Sequence, residues 1–249
     1  YRRVSLGGRI RSSLRGPDAK RRYVRDLFGR IAGRYDLTND VMSFGLHRRW
    51  KGRLLDMAKL RPGHRVLDLA AGTGDLALGA VARMGERGTV VAADLTPEMM
   101  EAGRRREGAD AVLWMQADAE ALPFAPQSFD RVLIGYGLRN FPDLDHSLEQ
   151  IYRCLRPGGR LLTLDFGKPP VAVLRRAYLR YLDVSTAAVG WLLHRDAEAY
   201  RYIPESLRRY PSQGGVCGAM EAAGFRECGW VDLLLGSMAL HFARRPDGA

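Results

Sequence analysis

Three aspartates each lie at or just beyond the end of a short apolar segment that is typical of a buried strand. Asp68 is in the first such segment, Asp94 follows the second and Asp118 follows the third. The carboxyl ends of parallel strands meet at one edge of a sheet, where ligands bind. There Asp94 can accept hydrogen bonds from ribose hydroxyls, Asp118 can hold an adenine amino group, and Asp68 can face an ammonium group. The pattern indicates a site for a nucleoside that carries an amino acid.

A glycine-rich loop follows the first of these segments, within residues 68–75 (DLAAGTGD). Its glycines permit a sharp turn and a close approach of backbone to a ligand, and the helix that begins here offers unpaired N–H groups. The loop also fits GxGxxA through Ala77, a dinucleotide-binding form in which Asp94 would be the ribose-binding acid. Because Asp68 would repel a pyrophosphate, the acids favour S-adenosyl-L-methionine as the cofactor over a nicotinamide dinucleotide.

Apolar periodicity predicts strands that alternate with helices. The predicted strands are 65–69, 89–93, 111–116, 131–135 and 160–165, with a final pair at 230–235 and 237–243. The predicted helices are 21–32, 48–58, 75–84, 96–106, 144–155, 171–193 and 212–224, and the polar and aromatic stretch 34–50 is left without one. This alternation predicts an α/β fold with a doubly wound, mostly parallel Rossmann-like sheet, the class I arrangement of methyltransferases that use this cofactor.

The chain is expected to form one domain with two helical additions. We expect a basic flexible arm over residues 1–20 and a single methyltransferase domain over 21–249, since 249 residues with 46% hydrophobic content suit one α/β core. Within the domain, residues 21–60 are expected to form an N-terminal helical cap. Residues 170–210 are expected to form a helical lid insertion.

Positive charge is concentrated near the N-terminus. Ten arginines and Lys20, against Asp18 and Asp26, place +9 of the formal net charge of +11 in residues 1–34. Such a segment suits an anionic membrane face, nucleic acid phosphates or a solvated tail. Because no apolar run is long enough to span a bilayer, we expect a cytoplasmic protein with peripheral contact to the inner membrane face through the basic arm.

The cysteines and histidines predict no metal site. Cys154, Cys217 and Cys228 are widely spaced and odd in number, which favours reduced thiols over a disulfide framework. No CxxC pair or Cys/His cluster with the spacing of a zinc site is present in the sequence. The predicted chemistry therefore has to be carried by the cofactor and by ordinary side chains.

Several segments resemble signatures of the menaquinone/ubiquinone biosynthesis C-methyltransferase family. Residues 35–51 (YDLTNDVMSFGLHRRWK) resemble its first signature, 153–160 (RCLRPGGR) its second, and 135–141 (GYGLRNF) its Gly-Leu-Arg-Asn loop; 200–206 (YRYIPES) and 240–241 are also similar. The likeness extends over roughly residues 20–245. The first signature is specific, whereas the glycine loop is shared by many methyltransferases.

The resemblance implies methylation of a ring carbon on a prenylated quinol, most often demethylmenaquinol. It also implies cofactor contacts, and the full predicted cofactor-binding set is Asp68, Gly72, Thr73, Gly74, Asp94, Leu95, Asp118, Ala119 and Gly135. The family has a serine where this chain has Gly135, and its second signature usually ends in Glu and Ser where this chain has Asp165 and Gly167. A ubiquinone-pathway methoxy-benzoquinol therefore stays open as the acceptor, although GYGLRN and LDF are similar to the phylloquinone and menaquinone branch.

Methylation of a ring carbon requires a deprotonated hydroxyl and an in-line approach to the sulfonium methyl. We expect Arg139 and Asn140 to stabilise the developing quinolate and Tyr35 to close over the ring together with Asp36. His241 is a candidate base for the hydroxyl proton, with water as the other candidate.

Each of these assignments has a structural alternative. Arg139 could form a surface salt bridge, His241 could be a core or edge histidine, and His47 and Trp50 are interpreted as packing residues of the N-terminal helices. The aromatic residues between Tyr178 and Trp191 are interpreted as core, although a polyprenyl tail needs an apolar groove there.

Other functions stay open on the sequence. An RNA methyltransferase would use the basic segment of residues 1–34, but this segment has only two tyrosines, Tyr1 and Tyr23, so we expect no nucleic-acid partner. A nicotinamide oxidoreductase would use GxGxxA, and a non-catalytic partner protein could share the fold. A homodimer is also left open.

Overall fold

The structure is a computed structural model that describes residues 16–194 and 197–248. Side chains are described for these residues outside positions 86 and 188–201. The predicted arm lies largely outside the described residues, so only its last five positions can be compared with the prediction.

Seven strands of the described chain form one sheet in the order β3-β2-β1-β4-β5-β7-β6. The strands are β1 (Arg65–Leu69), β2 (Thr89–Asp94), β3 (Leu113–Gln116), β4 (Phe129–Gly135), β5 (Leu155–Phe166), β6 (Arg226–Leu233) and β7 (Met238–Arg244). The first five are parallel, and β7 is antiparallel to both β5 and β6. The order reverses between β1 and β4, which is the switch point where doubly wound sheets bind ligands. The predicted fold class is confirmed.

Helices cover both faces of the sheet and its carboxyl edge. They are α1 (Pro17–Ile31), α2 (Tyr35–Ser43), α3 (Leu46–Met57), α4 (Asp75–Met84), α5 (Pro97–Arg104), α6 (Leu144–Cys154), α7 (Ala172–His194), α8 (Ala197–Arg209) and α9 (Gln213–Ala222). None of the helices in the described ranges is both long and apolar enough to cross a membrane.

The central strands are buried on both faces, which explains their nearly continuous apolar sequence. In β1, Val66 packs with the core beneath α3 and α4, while Leu67 and Leu69 belong to the core on the side of α6 and α9. Successive side chains of a strand point to opposite faces, so a single strand contributes to both cores. The rigid sheet that results fixes the loops at its carboxyl edge.

The N-terminal cap is held by a small separate core. Leu27 and Ile31 of α1 pack against Tyr202 of α8, and all three are buried. This contact joins the two helical additions to each other over the carboxyl edge of the sheet. The loops between the strands and these helices are therefore enclosed from two sides.

Three predictions from the sequence are wrong. Residues 34–50 contain α2, a helix whose Leu37 and Val41 lie on an exposed face, so the expected apolar stripe toward a core is missing. The cap begins at Pro17 rather than at residue 21, because Pro17 and Asp18 open α1 inside the segment assigned to the arm. Strand β5 begins at Leu155 rather than at residue 160 and includes the Pro-Gly-Gly sequence of residues 157–159.

Candidate active site

The glycine-rich loop joins β1 to α4 in a left-handed turn. Gly72 and Gly74 have φ values of +58° and +82°, a conformation that side chains disfavour. A Cβ atom on Gly74 would lie 2.4 Å from the Trp114 ring, and one on Gly72 would lie 3.0 Å from Met99. The loop therefore depends on glycine both for its turn and for its close packing.

Asp94 lies at the end of β2 with its carboxylate fixed in place. Its Oδ2 accepts a hydrogen bond from the Gly72 N–H and its Oδ1 one from the Thr96 N–H, each at 2.8 Å. Burial raises the pKa of the carboxyl, and these backbone donors oppose the rise. A carboxylate can accept about four hydrogen bonds, so Asp94 retains acceptor capacity toward the cleft that it lines. This is the arrangement that two adjacent ribose hydroxyls require.

Asp118 and Ala119 line the same cleft beyond β3, and an arginine of the cap covers them. The Arg21 Nε lies 2.7 Å from Asp118 Oδ2, and the same guanidinium also pairs with Glu120. Sequence reasoning missed Arg21 because it counted this residue only as part of a basic cluster. The spacing of α1 offers no signal for a partner almost one hundred residues away.

Six of the nine predicted cofactor-binding residues line this cleft. They are Gly72, Asp94, Leu95, Asp118, Ala119 and Gly135. The cleft also has no side chain at Gly137, where a Cβ atom would lie 2.6 Å from Ala70. A buried carboxylate at Asp94 and a partly buried one at Asp118, with glycines in the loops between them, are chemically suited to an adenosine nucleoside.

Asp68 has a different partner from the one predicted for it. Its Oδ2 accepts a hydrogen bond of 2.8 Å from the Ala77 N–H, and Oδ1 is buried without a partner among the described residues. Burial raises the pKa of this carboxyl to about 8. Asp68 does not line the cleft, so the structure places it behind the loop, where it holds the first turn of α4.

Thr73 and Gly74 also support the loop and do not line the cleft. Thr73 Oγ1 donates to Asp36 Oδ1 at 2.7 Å and so joins the loop to α2. Lys51 and Arg106 pair with Asp75 at 2.6 and 2.5 Å, and these two cations hold the pKa of that carboxyl well below its usual range against the effect of burial. The loop is thus anchored to α2, to α3 and to the turn that follows α5.

A second cavity of about 500 Å³ adjoins the cleft and is mainly apolar. Phe28, Tyr35 and Tyr136 line both spaces, so they mark the place where the two meet. The rest of the wall comes from α1, α2, α3, α7, α8 and the turn before β7, and includes Leu27, Ile31, Met42, Phe44, Leu46, Trp50, Phe166, Tyr178, Tyr181, Leu182, Ile203, Leu234 and Met238. The aromatic residues of α7 that were interpreted as core thus partly form this wall.

Arg139 lies in the turn after β4 and lines the second cavity. It is buried and pairs with Asp165 at 2.6 Å, while its Nη1 also donates to the Tyr136 carbonyl at 2.6 Å. Its guanidinium carbon lies 4.7 Å from the centre of the Phe166 ring. The alternative of a surface salt bridge is therefore wrong, because the Asp165 side chain has 0% exposure.

Asn140 lies on the cleft side of the same turn. Its Nδ2 donates to the Tyr136 carbonyl at 3.2 Å, and its Oδ1 is buried with no partner among the described residues. Tyr35 lies opposite, from the start of α2, and burial raises the pKa of its hydroxyl. The structure thus brings together three of the four predicted catalytic residues where the two spaces meet.

Lys20 is a further residue that the sequence analysis did not assign to the site. Its Nζ donates to the main-chain carbonyls of Arg139, at 3.1 Å, and Phe141. Burial lowers the pKa of this lysine to about 8. A residue expected in a flexible arm therefore ties the cap to the turn that carries Arg139 and Asn140.

His241 does not belong to the site. It lies in β7 with 1% exposure, opposite Thr163 of β5, and lines neither cavity. Burial lowers the pKa of its ring to about 4. The prediction of a catalytic base at His241 is therefore corrected, because the side chain packs inside the sheet as the alternative of a core histidine has it. His47, interpreted as a packing residue, lines the second cavity instead.

The arrangement is suited to group transfer between a nucleoside cofactor and an apolar acceptor. Within the described ranges, no group of three or more His, Cys, Asp or Glu side chains could hold a metal ion. The buried Arg139 is a cation next to the junction. Its charge can stabilise an anion that develops on a substrate in the second cavity.

Comparison with known families gives a match over nearly the whole chain. Residues 17–245 match the ubiE/COQ5 methyltransferase family. The "Ubiquinone/menaquinone biosynthesis C-methyltransferase UbiE" of Methylococcus capsulatus is 46% identical over 226 residues, which cover 89% of this chain and 91% of that protein. The protein of the same name from Serratia proteamaculans is 44% identical over 228 residues, 90% of this chain and 91% of that protein.

Solved structures show the same fold at low sequence identity. A possible histamine N-methyltransferase from Thermotoga maritima has a TM-score of 0.63 at 20% identity, covering 89% of this chain and 99% of that one. A phosphoethanolamine N-methyltransferase of Haemonchus contortus, solved with S-adenosyl-L-methionine, has a TM-score of 0.60 at 16% identity, covering 80% of this chain and 53% of that one. Both carry the name of methyltransferases, and at this identity the likeness shows that this chain has their fold.

Asp94→Asn is expected to weaken cofactor binding by about 10- to 100-fold, because an amide replaces a charged acceptor and turns an N–H group toward a backbone donor. Titration calorimetry with S-adenosylhomocysteine measures the effect without turnover. Asp110→Asn, at an exposed position, is the matched control. Unchanged affinity in Asp94→Asn would contradict the assignment of this cleft to the cofactor.

Arg139→Met is expected to lower the free energy of unfolding by about 3–5 kcal/mol, because it leaves Asp165 charged and buried without its partner. Arg105→Met, which removes an exposed pair with Glu101, is expected to change it by about 0.5 kcal/mol or less. Urea denaturation measures both.

The double variant Arg139→Met with Asp165→Leu leaves no unpaired buried charge, so it is expected to recover stability but not methyl transfer. If the single variant were as stable as the parent chain, the ion pair would not be the support described here.

Proposed function

The chain belongs to the ubiE/COQ5 methyltransferase family, and from that premise we propose that it methylates a ring carbon of demethylmenaquinol. It is a C-methyltransferase that uses S-adenosyl-L-methionine. The names of the two relatives described above refer to ubiquinone and menaquinone biosynthesis. The observation that carries the proposal is the apolar cavity that opens onto the cofactor cleft between Tyr35 and Tyr136.

The size and chemistry of this cavity suit a fused aromatic ring with an isoprenoid tail. Its volume of about 500 Å³ is within the range of small-molecule sites. Aliphatic and aromatic side chains from both the cap and the lid form most of the wall, and Arg139 contributes the charge. An apolar acceptor can therefore lie with its tail among the helices and its ring oxygens near the guanidinium.

The proposed roles of the side chains follow from their positions. The cofactor supplies a methyl group on a sulfonium, which reacts with an electron-rich carbon. Arg139 stabilises the negative charge that develops on the quinol oxygen, and the Asp165 pair keeps its guanidinium in place. Asn140 carries a buried Oδ1 without a partner among the described residues, which can accept a hydrogen bond from the second hydroxyl. Tyr35 covers the ring from α2.

The sequence around the turn after β4 supports a naphthoquinol as the acceptor. A side chain at Gly135 would bring a Cβ atom to 3.0 Å from Leu76, so the family's serine would press on the core beneath the turn. The Gly-Tyr-Gly-Leu-Arg-Asn form, without this hydroxyl, is similar to the naphthoquinol branch. A methoxy-benzoquinol is the alternative acceptor that the assay must include.

The basic cluster of the N-terminus supports a membrane partner more than a nucleic acid. Part of it is used inside the protein, since Lys20 and Arg21 pair with groups of the site. Two strongly exposed apolar side chains are Phe44, which lines the second cavity, at 84% exposure, and Leu235, next to the lining residue Leu234, at 77%. We propose that the surface around these two side chains lies against an anionic bilayer, where a prenylated quinol resides, and that the arginines of α7 contact its headgroups.

The function is tested by incubating the protein with radiolabelled S-adenosyl-L-methionine and three acceptors. These are demethylmenaquinol, a polyprenyl methoxy-benzoquinol and RNA. We expect the label on the naphthoquinol ring carbon, with a kcat/KM at least about tenfold above that for the benzoquinol, since one poorly fitting ring costs more than 1 kcal/mol.

Each acceptor result has one meaning. Preferential transfer to the benzoquinol would move the proposal to the alternative acceptor. Transfer to RNA alone, or to none of the three by a protein that binds the cofactor, would refute a quinol methyltransferase.

Membrane contact is tested by flotation with vesicles of an anionic phospholipid. The double variant Phe44→Glu with Leu235→Glu is expected to reduce the bound fraction about tenfold or more, because both side chains lose their apolar burial in the bilayer. Leu113→Glu is the control. It introduces the same charge at an exposed leucine of β3, which is the edge strand at the other end of the sheet from β6 and β7. Equal flotation of the double variant and the parent chain would contradict the proposed surface.

A further inference from the structure

A buried histidine lines the second cavity at the junction of α2 and α3. His47 has 3% exposure and its Nδ1 lies 2.8 Å from the hydroxyl oxygen of Ser43. It is one helical turn before Lys51, whose Nζ lies 5.6 Å from the centre of the Tyr136 ring. Tyr136 lines both the cofactor cleft and the cavity, and His47 lines the same cavity.

The hydrogen bonds of Ser43 determine which ring nitrogen of His47 carries the proton. The Ser43 hydroxyl donates to the Asn39 carbonyl at 2.6 Å. A hydroxyl has one proton, so the bond between Ser43 and His47 must use the Nδ1–H of the imidazole as donor. The lone pair of the neutral ring is then on Nε2. The ring is therefore set as a proton acceptor through one defined nitrogen.

Charged groups around the ring come from three helices. Asp40 of α2 has an oxygen 3.8 Å from Nδ1, and it is itself held by two hydrogen bonds from Arg48. The charges of Lys51 of α3 and Asp75 of α4 also act on the ring. Burial first, and then Lys51, lower the pKa of His47 below its usual value, while the two carboxylates oppose this. The ring is thus neutral, with a free lone pair, at neutral pH.

We propose that His47 is the base that accepts the hydroxyl proton of the quinol, with Ser43 as the positioning residue that fixes its tautomer. The O–H bond breaks, its proton goes to Nε2 of His47, and its electron pair enters the ring. The ring carbon next to that oxygen then forms a bond to the methyl group as the sulfur–methyl bond breaks, with that electron pair staying on sulfur. Loss of the proton from the methylated carbon to water and return of the His47 proton to the oxygen restore the aromatic quinol. One proton is released in total.

The role of His47 rests on the proposed function and adds to it the group that accepts the proton. Arg139 is paired on one side with Asp165 and remains a cation, so it can stabilise the quinolate but is a poor acceptor for its proton. His47 supplies the missing acceptor. Asp40 stabilises the imidazolium that forms, because it is an anion within 4 Å of the ring.

The decisive variant is His47→Asn, because the asparagine amide can still donate to Ser43 while no basic nitrogen is left. We expect kcat for the quinol to fall about 100-fold or more, in the range of general-base catalysis, with cofactor affinity unchanged. In the parent enzyme kcat should fall as the pH drops through the lowered pKa of His47. This acid limb should be absent in His47→Asn. His146→Asn, at an exposed position of α6, is the matched control and should retain both the rate and the limb.

A second measurement needs no turnover. Nitrogen NMR of the free enzyme, with His47→Asn to assign the signal, should show the Nδ1–H tautomer for the neutral His47 ring. In Ser43→Ala this preference should be lost and kcat should fall, while S-adenosylhomocysteine binds as before. This readout would still decide the matter if His47→Asn folded poorly.

The outcomes separate this inference from the function on which it rests. If the parent enzyme methylates no quinol, the proposed function fails. If the parent enzyme is active but His47→Asn keeps the parent rate and acid limb, or the neutral ring is the Nε2–H tautomer, only the role of His47 is overturned.

Discussion

The buried ion pair between Arg139 and Asp165 is the interaction on which the site depends. Taking two charges out of water costs several kcal/mol, so such a pair persists only where its hydrogen bonds are satisfied. Asp165 accepts from both the side chain and the main-chain N–H of Arg139, and the arginine also donates to the Tyr136 carbonyl. These bonds fix the turn after β4 against the end of β5. This turn positions Asn140 at the cleft and Arg139 at the cavity.

Much of the cofactor site could be predicted from the sequence because its chemistry is local to strand ends. Asp94 and Asp118 follow apolar segments that form neighbouring strands, so their convergence follows from the parallel order alone. Asp68 shows the limit of the same reasoning. It ends a strand in the same way, but the side chain turns under the glycine loop and binds the Ala77 N–H, and no sequence pattern distinguishes the two directions.

The substrate side could be predicted much less well, because it is built by helices that meet only through packing. His241, expected at the site, lies in β7 between β5 and β6. His47, expected to be a packing residue, lines the second cavity. Ser43 and His47 come together because Phe44 and Gly45 adopt the left-handed conformation between α2 and α3, and no spacing in the sequence indicates that turn. Lys20 and Arg21 were missed because their partners lie about one hundred residues or more away in the chain.

Helix α1 touches both halves of the site through adjacent residues. Arg21 covers the carboxylate at the adenine end of the cleft, and Lys20 holds two carbonyls of the turn that carries Arg139. A displacement of α1 that uncovers Asp118 therefore also withdraws Lys20 from that turn. A cofactor that left by such a displacement would therefore leave an enzyme whose catalytic turn had lost part of its support.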